Sequence, residues 1–81
     1  MNSYYRVKVI DKDHRLYGFE GACYGIQSEG ENITYFILFQ NYNVWQKLGY
    51  DERFVTMARM QNMHYTCTMT PEQVEIIEDY T

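Results

Sequence analysis

Ile33-Thr34-Tyr35-Phe36-Ile37-Leu38-Phe39 decides how the chain folds. β-branched and aromatic residues fill this stretch, which suits a pleated, buried surface. Ile33, Tyr35, Ile37 and Phe39 fall on one face of an extended strand, Phe36 and Leu38 on the other. Apolar residues on both faces predict a strand covered on both sides. Upstream, Tyr5, Val7 and Val9 alternate with Arg6 and Lys8, which predicts a strand with one buried face. Ala22, Tyr24 and Ile26 alternate with Cys23 and Gly25 in a second strand, where Gly25 marks a bulge or the close approach of another backbone. Between them, Asp11-Lys12-Asp13-His14 breaks the pattern, and Ser28-Glu29-Gly30-Glu31-Asn32 turns the chain into the central strand.

Downstream, Gln40-Asn41-Tyr42-Asn43 reads as a loop, and two readings then compete. In the first, Phe54-Val55-Thr56-Met57 and His64-Tyr65-Thr66-Cys67-Thr68-Met69 form a hairpin around Gln61-Asn62; the Thr and aromatic content of the second half favours it. In the second, Asp51 caps a helix around residues 52–62, with Phe54, Met57 and Ala58 at helical spacing. Thr70-Pro71-Glu72-Gln73 carries a helix-start signature, with Thr as cap and Gln three residues later. The few apolar residues that follow suit a single turn leading into a closing strand. The fold class expected is mainly β: a small barrel of about five strands with a short helical turn near the C-terminus. The alternative is a compact α+β domain with the helix at 52–62.

With 81 residues, positions 1–81 read as a single domain. Such a chain buries about 60–65% of its unfolded surface, so its core is thin. A 46% hydrophobic and 17% aromatic content excludes disorder. The longest apolar run, Tyr35 to Phe39, is far short of the roughly twenty residues a membrane helix needs. The start lacks a secretory pattern, and Cys23 and Cys67 read as reduced thiols, so the expected location is cytoplasmic. In that setting the glycosylation triplet Asn32-Ile33-Thr34 carries no weight. The net charge is −4: residues 1–16 have a surplus of two positive charges, while Glu72, Glu75, Glu78 and Asp79 make the end acidic. Generic phosphate-backbone binding needs clustered Lys and Arg, so nucleic acid ranks below protein as a partner.

Val7-Lys8-Val9-Ile10, a polar loop and Gly18-Phe19-Glu20-Gly21-Ala22-Cys23-Tyr24-Gly25-Ile26 resemble the KOW-type opening of SH3-like barrels. Thr70-Pro71-Glu72-Gln73-Val74-Glu75-Ile76-Ile77 is similar to the helical turn and last strand of such barrels. The resemblance covers about half the chain and implies an SH3-like barrel. Two departures are visible: the chain is acidic where nucleic-acid-binding KOW modules are basic, and residues 41–63 exceed what a minimal barrel needs. The likeness supports a fold and not a ligand.

His14, Cys23, His64 and Cys67 carry zinc-binding atoms, but only His64 and Cys67 are closely spaced, and a strand would point them to opposite faces. No metal, cofactor or catalytic residue is expected. A Cys–His nucleophile pair lacks an oxyanion hole, and Gly18, Gly21 and Gly25 lack phosphate-cradle spacing. The aromatic excess says more: nine Tyr, four Phe and one Trp. Phe19, Tyr24, Tyr35, Ile37, Phe39 and Phe54 are expected in the core. Tyr17, Tyr42, Trp45 and Tyr50 fall in predicted loops and, with Arg59 and Met60, form the expected partner-binding set, of types enriched at interface centres. Their weight is balanced by the alternative that they fill an irregular segment of the core. The function expected is therefore a non-enzymatic protein-binding module. In size and character it is similar to small phage-encoded accessory or inhibitor proteins, anti-CRISPR-type proteins among them, which implies a host nuclease or defence enzyme as partner. The rival function is a KOW-like nucleic-acid or ribosome-associated protein using Arg6, Lys8, Lys12, His14 and Arg15. Homo-oligomer formation through the loop aromatics is a third reading.

Overall fold

A computed structural model describes the backbone of residues 4–80 and the side chains of residues 5–77. Part of the acidic end, Glu78 and Asp79, therefore lies outside the described side chains. Five antiparallel strands form one open sheet: β1 (Tyr4–Val9), β2 (Glu20–Glu29), β3 (Asn32–Phe39), β4 (Tyr65–Met69) and β5 (Val74–Tyr80), in the order β4-β3-β2-β1-β5. Two helices, α1 (Asn43–Lys47) and α2 (Glu52–Met60), are inserted between β3 and β4. The chain is mainly β with five strands, as expected. The favoured hairpin over residues 54–69 is incorrect, because its first half is α2. Thr and Val gave that half its strand character, but Asp51 decides against it: its carboxylate accepts the Phe54 N–H at 2.9 Å and caps the helix.

Register places Tyr5, Val7 and Val9 opposite Cys23, Gly21 and Val74, and Ile37 opposite both Cys23 and Cys67. These positions define the inner face. Val7, Val9, Cys23, Ile37, Phe39, Met69 and Val74 are buried there, joined by Leu16 from the β1–β2 loop and Val44 from α1. Tyr24 was expected in this core and is instead half exposed, at 48%. The β2–β3 register shifts between Cys23 and Gly25, a bulge, and Tyr24 stands beside Phe36 on the outer face, 6.2 Å between ring centroids. Phe36 and Leu38 on that face are only partly covered, so the sheet is sealed on one side rather than two.

Residues 70–73 make the expected turn. Gln73 N–H donates to the Thr70 carbonyl at 3.0 Å, and the Gln73 side-chain oxygen accepts the Thr70 N–H at 3.0 Å. A hydrogen-bonded turn flanked by two Cα steps spans at most about 15 Å. A flat five-stranded sheet would hold its edges about 19 Å apart. The sheet is therefore curled, and both edges, through Met69 and Val74, feed the same core. Among the described residues no ladder joins β4 to β5.

The close backbone approach sits at Gly21 rather than Gly25. A Cβ on Gly21 would lie 2.9 Å from both the Ile37 side chain and the Leu38 carbonyl oxygen, whereas one on Gly25 would make ordinary contact with Phe36 at 3.6 Å. Gly21→Ala should destabilise the fold by about 1–3 kcal/mol, as overpacking does, and Gly25→Ala by much less. Urea denaturation of both variants checks the contrast; equal losses would contradict the packing described.

Candidate binding surfaces

The helical insertion is organised by two matching helix ends. After α1, Gly49 takes a left-handed conformation (φ 103°), its N–H donates to Gln46 O and the Tyr50 N–H to Trp45 O. After α2, Asn62 does the same (φ 53°), with its own N–H donating to Arg59 O and that of Met63 to Ala58 O. Both are Schellman ends, which satisfy carbonyls that a helix terminus leaves free. The apolar contact that accompanies this motif is here Trp45 against Tyr50, 5.3 Å between centroids.

Trp45 also joins the two ends. Its indole N–H donates to the Met63 carbonyl at 2.9 Å, and its ring meets the edges or faces of Phe54 and Tyr65, each at 5.2 Å. Tyr65 continues to Phe39 at 6.3 Å and so to the core. Tyr42 is a second tie: its hydroxyl lies 3.3 Å from Asn62 Oδ1, to which it donates, and 3.3 Å from His64 Nε2. The His64 ring stacks on it, and the Arg59 guanidinium stands 5.7 Å from its centroid. Trp45 and Tyr42, two of the expected partner anchors, thus spend their polar atoms inside the chain. Phe54, expected in the barrel core, is half-buried on α2 and stacks on Tyr50 at 4.5 Å.

What the insertion leaves outside is a stripe along α2. Tyr50, Met57 and Met60 are 45%, 39% and 79% exposed, with Phe54 between them. Phe54, Met57 and Met60 are three residues apart, so their side chains follow one another along the helix surface. Val55 and Ala58 take the buried side. Of the expected anchors, Tyr50, Arg59 and Met60 lie on this insertion and are exposed; Tyr17 is exposed in the β1–β2 loop. Met57 was missing from the expected set, and its i+3 relation to Phe54 and Met60 on a helix is the signal that finds it.

The five basic residues of the rival reading divide. Arg6 and Lys8 lie on the outer face of β1; Arg6 forms an ion pair with Glu20, and Lys8 stands in register between Glu20 and Glu75. Lys12, His14 and Arg15 instead line a surface hollow with Tyr17, Lys47 and Gly49. The Arg15 guanidinium donates to the Leu48 carbonyl at 3.2 Å, which ties the β1–β2 loop to the end of α1.

Cys23 and Cys67 both face inward and are free. Burial pushes the Cys67 thiol up to about 11. Burial also raises Cys23, whose Sγ donates to the Gly25 carbonyl at 3.3 Å. Among the described residues no three His, Cys, Asp or Glu side chains converge on a metal position. His14 sits in the β1–β2 loop, where its Nδ1 accepts the Leu16 N–H, and the His64 ring stacks on Tyr42. Comparison with known proteins returned no matching family model, no matching curated protein and no matching solved structure.

Thiols held above their unfolded value stay protonated in the fold. Their contribution to stability is complete below pH 9.0 and is lost as pH rises toward about 11. Urea midpoints should therefore fall between pH 9 and 11, and Cys67→Val should flatten that fall. At pH 8 iodoacetamide should label the folded chain far more slowly than the unfolded one; equal rates would show that the thiols are not shielded.

Proposed function

We propose that the chain is a non-enzymatic module that binds a protein partner through the exposed apolar stripe of α2. One observation carries this reading: Met57 and Met60 stand exposed on α2, Tyr50 stands exposed just before it and stacks on Phe54, and a hydrogen-bonded tryptophan packs against both rings. Tyr and Met bring large apolar area at interface centres, and Met adapts its shape to a partner. Removal of such a side chain from a well-packed interface centre typically costs 1 kcal/mol or more of binding. Arg59, held over the Tyr42 ring, adds a cation at the margin. The size and character of the chain fit an accessory or inhibitor protein of the phage type, acting on a host enzyme such as a nuclease.

As its scaffold we propose an SH3-like small barrel opened along β4 and β5. The strand order supports this, as does the four-residue link that draws the two edge strands together.

The test is capture from nuclease-treated bacterial lysate by the tagged chain, wild type against Met57→Gln/Met60→Gln. Glutamine keeps the helix propensity of methionine, so circular dichroism should be unchanged. A stoichiometric partner should be held by the wild type and lost at least tenfold by the variant. Undiminished capture by the folded variant would remove the stripe as the interface. Retention of nothing but the chain's own copies would replace the reading with self-association.

A further inference from the structure

Three of the seven Lys and Arg side chains of this acidic protein meet at one place. Lys12 and Arg15 from the β1–β2 loop and Lys47 from the last turn of α1 line a hollow of about 480 Å³, and among the described residues no carboxylate lines it. Residues more than thirty positions apart are brought together by the Arg15 to Leu48 hydrogen bond. Two acids flank Lys12 in sequence: Asp11, whose oxygens accept the Asp13 N–H at 3.0 Å and the Gln73 side-chain amide at 3.4 Å, and the exposed Asp13; neither lines the hollow. His14 adds a donor. Its Nδ1 accepts the Leu16 N–H at 3.0 Å, which leaves the proton of a neutral ring on Nε2. Clustered cations with further N–H donors are the chemistry that holds a phosphate group.

The hollow does not end there. Tyr17, 50% exposed, also lines a second and larger hollow of about 640 Å³ over the outer face of the sheet. Phe19 and the half-buried Ala22 and Leu38 give this second hollow an apolar lining. Gln40, Asn41 and the ion-paired Arg6 and Glu20 add polar groups to its lining. A cationic hollow and one of mixed apolar and polar lining that share a tyrosine match a ligand with an anionic group beside a flat ring with polar edges. Inorganic phosphate would leave Tyr17 and the second hollow unused.

We propose that the two hollows form a nucleotide site, with the phosphate among Lys12, Arg15 and Lys47 and the base stacked on Tyr17. The nucleotide is either free or one unit of a single strand, since a duplex keeps its bases stacked and out of reach. This site is separate from the α2 stripe and stands or falls independently of the protein-binding reading.

The experiment is NMR titration of the full chain with inorganic phosphate, with uridine and adenosine monophosphates, and with an eight-nucleotide oligouridine at low salt. Shifts should centre on Lys12, Tyr17 and Lys47. Tyr17→Ala and Lys47→Gln should each weaken binding at least fivefold, while Arg53→Gln, outside the hollow, should not. All three side chains are exposed, so the fold should persist, and the same spectra report it. Saturation by a monophosphate alone supports the site with a free nucleotide as its ligand. Tighter binding of the oligonucleotide, with a log–log salt slope of about −0.7 for each phosphate held, supports it with a strand as ligand. Phosphate binding as tight as that of the nucleotides and indifferent to Tyr17→Ala would overturn the proposal, as would an unchanged spectrum at millimolar ligand.

Discussion

The hydrogen bond from the Trp45 indole to the Met63 carbonyl is the contact on which the helical half of this molecule depends. It joins the residue that begins the end of α1 to the residue that finishes the end of α2. Both helices are too short to persist alone in water. Each is closed by a left-handed residue, Gly49 or Asn62, and the tryptophan then fastens one closure to the other. Through Tyr65 and Phe39 the same ring is coupled to the core of the sheet. A thin core on a curled five-stranded sheet gains a lid in this way, because Val44 and Leu48 come down with α1 onto the open end of the inner face.

Both surfaces considered for binding hang from that lid. The exposed row on α2 keeps its line because Tyr50 and Phe54 stack on each other and both abut Trp45. The cationic hollow exists because the end of α1 offers Lys47 and, at Leu48, a carbonyl that Arg15 can reach. An acidic chain thus concentrates cations where the carboxylates of its own strands do not reach. Arg6 and Lys8, by contrast, are balanced by Glu20 and Glu75 on the outer face.

Most of the sheet was legible in the sequence. Two-residue alternation in residues 5–9 and 33–39 is a direct statement of which side faces the core, and Val7, Val9, Ile37 and Phe39 are buried as it says. Gly25 announced a bulge, but the phase of β2 was not legible: Cys23 is the buried residue, so Ala22 and Tyr24 take the outer face. The helices were less legible because Val55, Thr56 and the aromatics near them suit strands equally well. The Asp51 cap spoke for the helix at 52–62 but did not by itself outweigh that strand character. A further signal was not used: Trp45-Gln46-Lys47-Leu48-Gly49-Tyr50 has the glycine and the flanking apolar pair of a Schellman end. A lone tryptophan in a supposed loop suggested an exposed anchor, yet a buried indole N–H needs an acceptor, and Met63 supplies one from eighteen residues away. The cationic hollow was half visible, as Lys12, His14 and Arg15; Lys47 belongs to it only through the tertiary fold.

Hydrogen exchange of the single Trp45 indole N–H, followed by NMR, tests this account most directly. If the indole holds the two helix ends together, that proton should exchange slowly, with protection comparable to the backbone amides of α2. Exchange at the rate of a free indole, in a chain whose β3 amides remain protected, would mean that the indole does not fasten the two helix ends together.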